Sequence, residues 1–202
     1  MTAMTLVELV CRGAGHRAAV TGPDGTVLDY VSLCNAADAL GSALVARGVA
    51  PGERVASALP PGRELAAALI GVAAIRGVFA PLPAVVDEPS ARAALRARDA
   101  RLLLAPASAI PGGVRAAAAA LRIPIVRLGF DDHGLALIDG EHVFDSHDRI
   151  AEPQDLAFAP PVGEPLSHEQ LVAAAGERGL DGLLAAVAGD GASVGVREGL
   201  AA

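Results

Sequence analysis

The sequence predicts an α/β fold in which a mainly parallel sheet is flanked by helices. Short apolar, β-prone runs alternate with helical patterns from residue 54 to residue 128, the order that βαβ units produce. Breaks rich in Gly and Pro, such as Pro51-Gly52, Pro60-Pro61-Gly62 and Gly77, separate those runs where turns and helix ends are needed. The length, 202 residues, suits one domain or one domain with a short appendage, large enough to bury roughly 70% of the unfolded chain's surface.

Residues 5–12 (TLVELVCR) suit a short helix, with Thr5 as N-cap and Glu8 at the capping-box position. The run AAVTGPDGTVLDY reads as a hairpin turning at Pro23-Asp24-Gly25. Asp29 then caps a long helix whose Leu33, Ala36, Ala37, Leu40, Ala43 and Leu44 recur at helical spacing, and Gly48 supplies its stop. A strand follows at Arg54–Leu59. The next helix, Arg63 to Arg76, is apolar nearly all round and is expected to be buried, with Gly77 ending it. Val78–Leu82 is a strand, 89–98 a helix, 101–105 a strand, 113–121 an alanine-rich helix and 124–128 a strand. Residues 129–153 turn polar and acidic, an insert with one hairpin around Asp139-Gly140. A last strand is expected at 155–159, a loop from Pro160 to Leu166, and a helix opened by Ser167 with Gln170 as its capping-box partner. The domain is placed at 1–178 and a Gly- and Ala-rich, partly ordered tail at 179–202.

Composition excludes several function classes. Hydrophobic residues make up 52%, largely alanine, yet no apolar run reaches the ~18 residues that span a bilayer. The stretch Leu65–Ile75 stops at Arg76. The N-terminus MTAMTLVELVCRG has no basic segment before its apolar part, so a cytoplasmic protein without a signal peptide is expected. The net charge of -7 and the 2% aromatic content argue against nucleic acid, which needs a basic patch and stacking platforms. The densest basic run, Arg92, Arg96, Arg98 and Arg101, reads as the solvated face of one helix. Cys11 and Cys34 read as two isolated, reduced, partly buried thiols. All 16 basic residues other than histidine are arginines; the chain has no lysine.

Three constellations invite a chemical reading. Gly13-Ala14-Gly15-His16-Arg17-Ala18 fits a G-x-G-x-x-A pattern, but a dinucleotide fingerprint needs a helix directly after it and a hairpin follows here. His133, His142, His147 and Asp145, with Asp131, Asp132, Glu141 and Asp148 around them, are candidate metal ligands of a type suited to zinc or manganese. Their spacing matches no known ligand pattern, and a solvated acidic loop is the better reading; no metal is expected. The serines nearby, Ser108 and Ser146, sit in no nucleophile-elbow sequence.

Five segments in order resemble the N-terminal subdomain of the AMP-forming adenylate-forming enzymes, which include acyl-CoA synthetases and the adenylation domains of peptide synthetases. They are Leu28-Asp29-Tyr30 through RGVAPGERVA, Leu59-Pro60 through Glu64, IRGVFAPLP, SARAALRARDARLLLA, and Asp155-Leu156-Ala157-Phe158. In that family the last strand leads into a Ser/Thr/Gly-rich loop of the form TSGTTG-x-PKG, which cradles the ATP phosphates. Here the strand leads into Ala159-Pro160-Pro161-Val162-Gly163-Glu164-Pro165-Leu166. Only Gly163, Glu164 and Pro165 echo the family's G-x-P, and Leu166 stands where its lysine would. Ser167-His168-Glu169-Gln170-Leu171 matches the helix start after the loop, which makes His168 a structural or surface residue. The family's later segments, its ribose-binding aspartate, Gly-rich acyl-binding stretch and lid lysine, would fall after residue 202.

The resemblance with this departure implies a truncated relative with no catalytic residues of its own and no cofactor, acting through a protein partner or a second copy of itself. The near all-apolar helix 63–76 is the expected source of an exposed contact surface. The alternative is one piece of a split acyl- or aminoacyl-adenylating enzyme, which would take ATP and Mg2+ only when completed by a partner chain.

Overall fold

The computed structural model describes residues 4–12, 15–22, 25–83, 87–161 and 163–188. The chain opens with helix α1 (Leu6–Cys11), whose capping box closes both ways: the Thr5 N–H donates to Glu8 Oε2 at 2.8 Å and the Glu8 N–H to Thr5 Oγ1 at 3.1 Å. The hairpin β1 (Ala18–Thr21) and β2 (Val27–Asp29) forms a separate two-stranded sheet; Pro23 and Asp24 of its expected turn lie outside the described residues. Helix α2 (Tyr30–Ala46) starts on Asp29, whose Oδ1 accepts the Ser32 N–H at 2.7 Å.

The main sheet contains β3 (Arg54–Ser57), β4 (Val78–Pro81), β5 (Ala100–Pro106), β6 (Ile125–Phe130), β7 (Ala136–Ile138), β8 (Leu156–Phe158) and β9 (Leu166–Ser167), in the order β7-β6-β5-β3-β4-β8-β9. The five inner strands are parallel, and the short outer strands β7 and β9 run antiparallel. Between them run α3 (Arg63–Ala74), α4 (Glu88–Ala97) and α5 (Gly112–Leu121), and α6 (His168–Ala188) follows β9. The α6 helix thus runs past residue 178, where the tail was expected to begin; residues 189–202 lie outside the described residues.

Strand side chains alternate between two cores. Val55, Leu102 and Leu104 join α1, α2, α3 and α6 on one face, while Ala56 and Leu103 join α4 and α5 on the other. Helix α3 lies between the sheet and α2, and every residue from Leu65 to Ile75 is buried. A Cβ on Gly71 would stand 2.7 Å from the Ala37 carbonyl oxygen, so the two helices meet backbone to backbone. This close packing overturns the expectation that helix 63–76 presents a contact surface. The exposed large apolar residues lie elsewhere, led by Phe144 and Ile150 at 86% and 80% exposure. The end of α3 also differs in detail: Arg76, with φ 64, makes the left-handed turn, and Gly77 is needed because a Cβ there would crowd Val72.

The polar insert is partly a hairpin and partly a strap. The β6–β7 ladder turns at Asp131–Leu135, and Asp139-Gly140, both at positive φ, closes only a single bridge between Ile138 and Glu141. Residues 142–152 then run without regular structure across α2 and α3 to β8. His147 is buried against Gly41 and Ile75, and one Arg149 nitrogen donates to the carbonyls of Val49 and Ile75 at 2.7 and 3.3 Å. This insert is therefore anchored to the core at two side chains rather than wholly solvated.

Candidate functional site

In an open parallel sheet, ligands bind beyond the carboxyl ends of the strands, where successive connections leave toward opposite faces. Here β3 feeds α3 on one face, while its neighbours β4 and β5 feed α4 and α5 on the other. A crevice of about 450 Å3 opens at that point, lined by the loops after β3, β4 and β5. Its walls are rich in proline, namely Pro60, Pro61, Pro83, Pro106 and Pro111, with Ser108 the single hydroxyl among the lining residues. Ser57 Oγ accepts the Leu59 N–H at 3.2 Å and fixes the exit of β3. Among the described residues the crevice holds no titratable side chain, so these residues can seat an apolar group but supply no acid or base. A larger crevice of about 730 Å3 borders the amino ends of the strands. Its Arg101 and Glu53 face each other at 3.6 Å, and it lies at the opposite end from the switch point.

Strand β8 runs parallel to β4, so its carboxyl end and the loop 159–165 emerge at the same end of the sheet as the proline-lined crevice. The loop is closed tightly, because Leu166 pairs back onto Phe158. The Ala159 N–H is used by the Phe79 carbonyl at 2.8 Å, and Gly163 takes φ 110. Gly163 and Glu164 are exposed, and Pro165 is half-buried. The loop then hands over to α6 through a capping box, with Ser167 N–H donating to Gln170 Oε1 at 2.8 Å.

His168 is fully buried. Its Nδ1 accepts the Leu6 N–H at 3.2 Å, so it caps the first turn of α1 from the start of α6. The remaining nitrogen, Nε2, is directed at the Ala73 carbonyl of α3 and has no hydrogen bond of full geometry among the described residues. Burial pulls its pKa below 6.5, and the opposing pull of Asp155 and Glu8 does not offset it. His168 is therefore a neutral tie between three helices rather than a surface residue. Burial alone would raise Asp155; the Glu152 N–H and the Arg76 guanidinium, 2.9 Å away, outweigh it and hold the carboxyl low. His16 pairs with Asp29 at 2.8 Å at the surface, and the Ser32 N–H together with His16 holds Asp29 at about 2.

The candidate ligands are dispersed. His142 Nε2 lies 3.5 Å from Asp131, His147 Nε2 lies 3.7 Å from Asp38, and His133 is exposed on the β6–β7 turn. Asp145 borders a surface groove with His142. Among the described residues no three His, Cys, Asp or Glu side chains converge on one point. The segment Gly13–Ala18 leads from α1 into the hairpin; Gly13 and Ala14 lie outside the described residues. No described helix is long and apolar enough to cross a membrane.

Two expectations from the sequence are corrected. Arg98 is not on a solvated face: it is buried at the end of α4, donating to the Pro81 carbonyl at 2.8 Å and the Ala94 carbonyl at 3.1 Å, and Arg101 belongs to β5. Cys11 and Cys34 are not isolated. The packing of α1 on α2 brings their sulfurs to 2.9 Å, a contact between residues 23 positions apart that no local pattern signals.

The same architecture occurs in larger proteins of known structure. The chain matches apo MatB from Rhodopseudomonas palustris with 21% identity and a TM-score of 0.61, covering 87% of this chain and 38% of that one. It matches a benzoate CoA ligase from Burkholderia xenovorans with 18% identity and a TM-score of 0.69, over 86% and 36% of the two chains. An acyl-CoA synthetase from Brucella canis matches with 19% identity and a TM-score of 0.60, over 86% and 35%. At these identities the likeness is one of fold, and the chain spans little more than a third of each structure. No curated protein matches the sequence. Residues 7–171 match the AMP-binding enzyme family, and with most of its length inside that match the chain belongs to this family.

Proposed function

We propose that this chain is a catalytically silent member of the AMP-binding family that works through contact with another protein. The loop between β8 and β9 carries the reading. A phosphate loop holds its ligand with convergent backbone N–H groups, hydroxyls and a lysine. Between Phe158 and Leu166, Pro160, Pro161 and Pro165 have no N–H to give, and that of Ala159 is spent on the sheet. No Ser, Thr or Lys stands in the segment, and the exposed Glu164 sets a carboxylate where a triphosphate would have to lie. Phe144 and Ile150 on the strap are the most exposed large apolar side chains among the described residues and are available to a partner. The pure chain is expected to give no ATP–pyrophosphate exchange with any of a panel of aliphatic and aromatic carboxylic acids. Acid-dependent exchange by the chain alone would overturn the proposal.

The formed, apolar crevice at the carboxyl end of the sheet favours a second reading. On it, the chain is one piece of a split acid-adenylating enzyme, contributing the crevice while another chain supplies the phosphate loop, and ATP with Mg2+ binds only to the assembled pair. Exchange activity that arises only on mixing with a chain carrying the later family segments supports this reading. Failure of the two co-expressed chains to associate removes it.

A further inference from the structure

We propose that Cys11 and Cys34 are a redox modification site, in which a peroxide-class oxidant converts the two thiols into a disulfide tying α1 to α2. The sulfurs stand 2.9 Å apart, less than an ångström beyond a covalent S–S bond of about 2.05 Å. Each side of the pair rests on an ordered element: Cys11 is the last residue of α1, and Cys34 lies in the second turn of α2, packed against the main core. Bond formation therefore has to close less than an ångström between two sulfurs carried on ordered elements.

Access and chemistry are divided between the two thiols. Cys11 is exposed and Cys34 half-buried, and both line a crevice of about 430 Å3 beneath the strap. Burial, reinforced by the Cys11 sulfur beside it, pushes the Cys34 thiol up to about 12, so Cys34 keeps its proton at neutral pH and the oxidant is met by Cys11. Cys11 gives up its proton and its sulfur attacks one peroxide oxygen; the O–O bond breaks, Cys11 becomes a sulfenic acid, and the departing hydroxide takes up the Cys11 proton and leaves as water. The Cys34 sulfur then attacks the Cys11 sulfur, and the hydroxyl leaves as a second water with the Cys34 proton. In sum, two thiols and one hydrogen peroxide give one disulfide and two waters, the two electrons coming from the two sulfurs. The contact distance compensates for the scarce Cys34 thiolate by making the second step intramolecular.

The test is direct on the full chain. The reduced protein is treated with stoichiometric hydrogen peroxide, denatured and alkylated, and its intact mass and non-reduced tryptic digest are measured. The expected result is loss of both alkylatable thiols, a mass about 2 Da below that of the reduced, unalkylated chain, and a peptide pair joining residues 1–12 to 18–47, all reversed by dithiothreitol. In Cys34→Ser, oxidation in the presence of glutathione should instead leave Cys11 as a mixed disulfide, which the wild type resolves. Retention of both thiols, over-oxidation of Cys11 with Cys34 still free, or disulfides only between chains would each overturn the proposal.

Discussion

Where α2 crosses α3, the chain leaves no room: a Cβ at Gly71 would meet the Ala37 carbonyl oxygen at 2.7 Å, and Leu65 to Ile75 are buried without exception. The loop from Ala159 to Pro165, by contrast, contains only Ala, Pro, Val, Gly and Glu, with no hydroxyl and no lysine, and it closes onto β9 and leads into the cap of α6. The first region is governed by volume and the second by the supply of hydrogen-bond donors and charge. These requirements are separable, because the β8–β9 pairing is made by backbone groups and does not depend on which side chains the connection carries. On the proposed reading, the fold keeps its packing without the groups a phosphate loop needs.

This contrast is open to attack from the packed side first. Gly71→Val is expected to cost about 3 kcal/mol or more, since backbone is the obstacle and has nowhere to shift; urea unfolding should show a lower midpoint or no folded protein. His168→Leu should cost about 2 kcal/mol by leaving the Leu6 N–H buried without its acceptor. The same variant has a pH signature. With the folded pKa of His168 below 6.5, the unfolded chain binds more protons as pH falls below that value. Its contribution is whole above about pH 6.5 and declines below it, so wild-type stability should fall between pH 7 and 5 more than that of His168→Leu. Arg149→Ala should cost about 1–2 kcal/mol through loss of its bonds to the Val49 and Ile75 carbonyls, releasing the strap from the core. Thr5→Ala should cost about 1 kcal/mol through loss of one capping-box bond. On the loop side the effect should be smallest: Pro160→Ser with Glu164→Thr should change stability by no more than about 0.5 kcal/mol. A hydroxyl-rich loop grafted without a lysine should still fail to adenylate, because the cation is missing.

Much of the fold was legible because its signals are local. The capping boxes at Thr5–Glu8 and Ser167–Gln170, the Asp29 cap and the strand–helix alternation all follow from spacing within a few residues. Strands β7 and β9 were not legible, being three and two residues long with no pattern of their own. Charge misled at Arg98 and His147, since a polar residue in a polar run reads as solvated, while its burial is decided by what packs over it. The lack of hydroxyls and lysine in the loop 159–165 was fully visible in the sequence, because it is a matter of residue type. The crevice at the ends of β3, β4 and β5 and the Cys11–Cys34 contact were not, as both are assembled from segments that only the tertiary fold brings together.

Calorimetric titration of the purified chain with Mg2+ and ATP decides whether the loop 159–165 still holds a nucleotide. No saturable binding is predicted up to about 1 mM ATP; a saturable isotherm with a micromolar Kd, lost on further substitution of this loop, would contradict it.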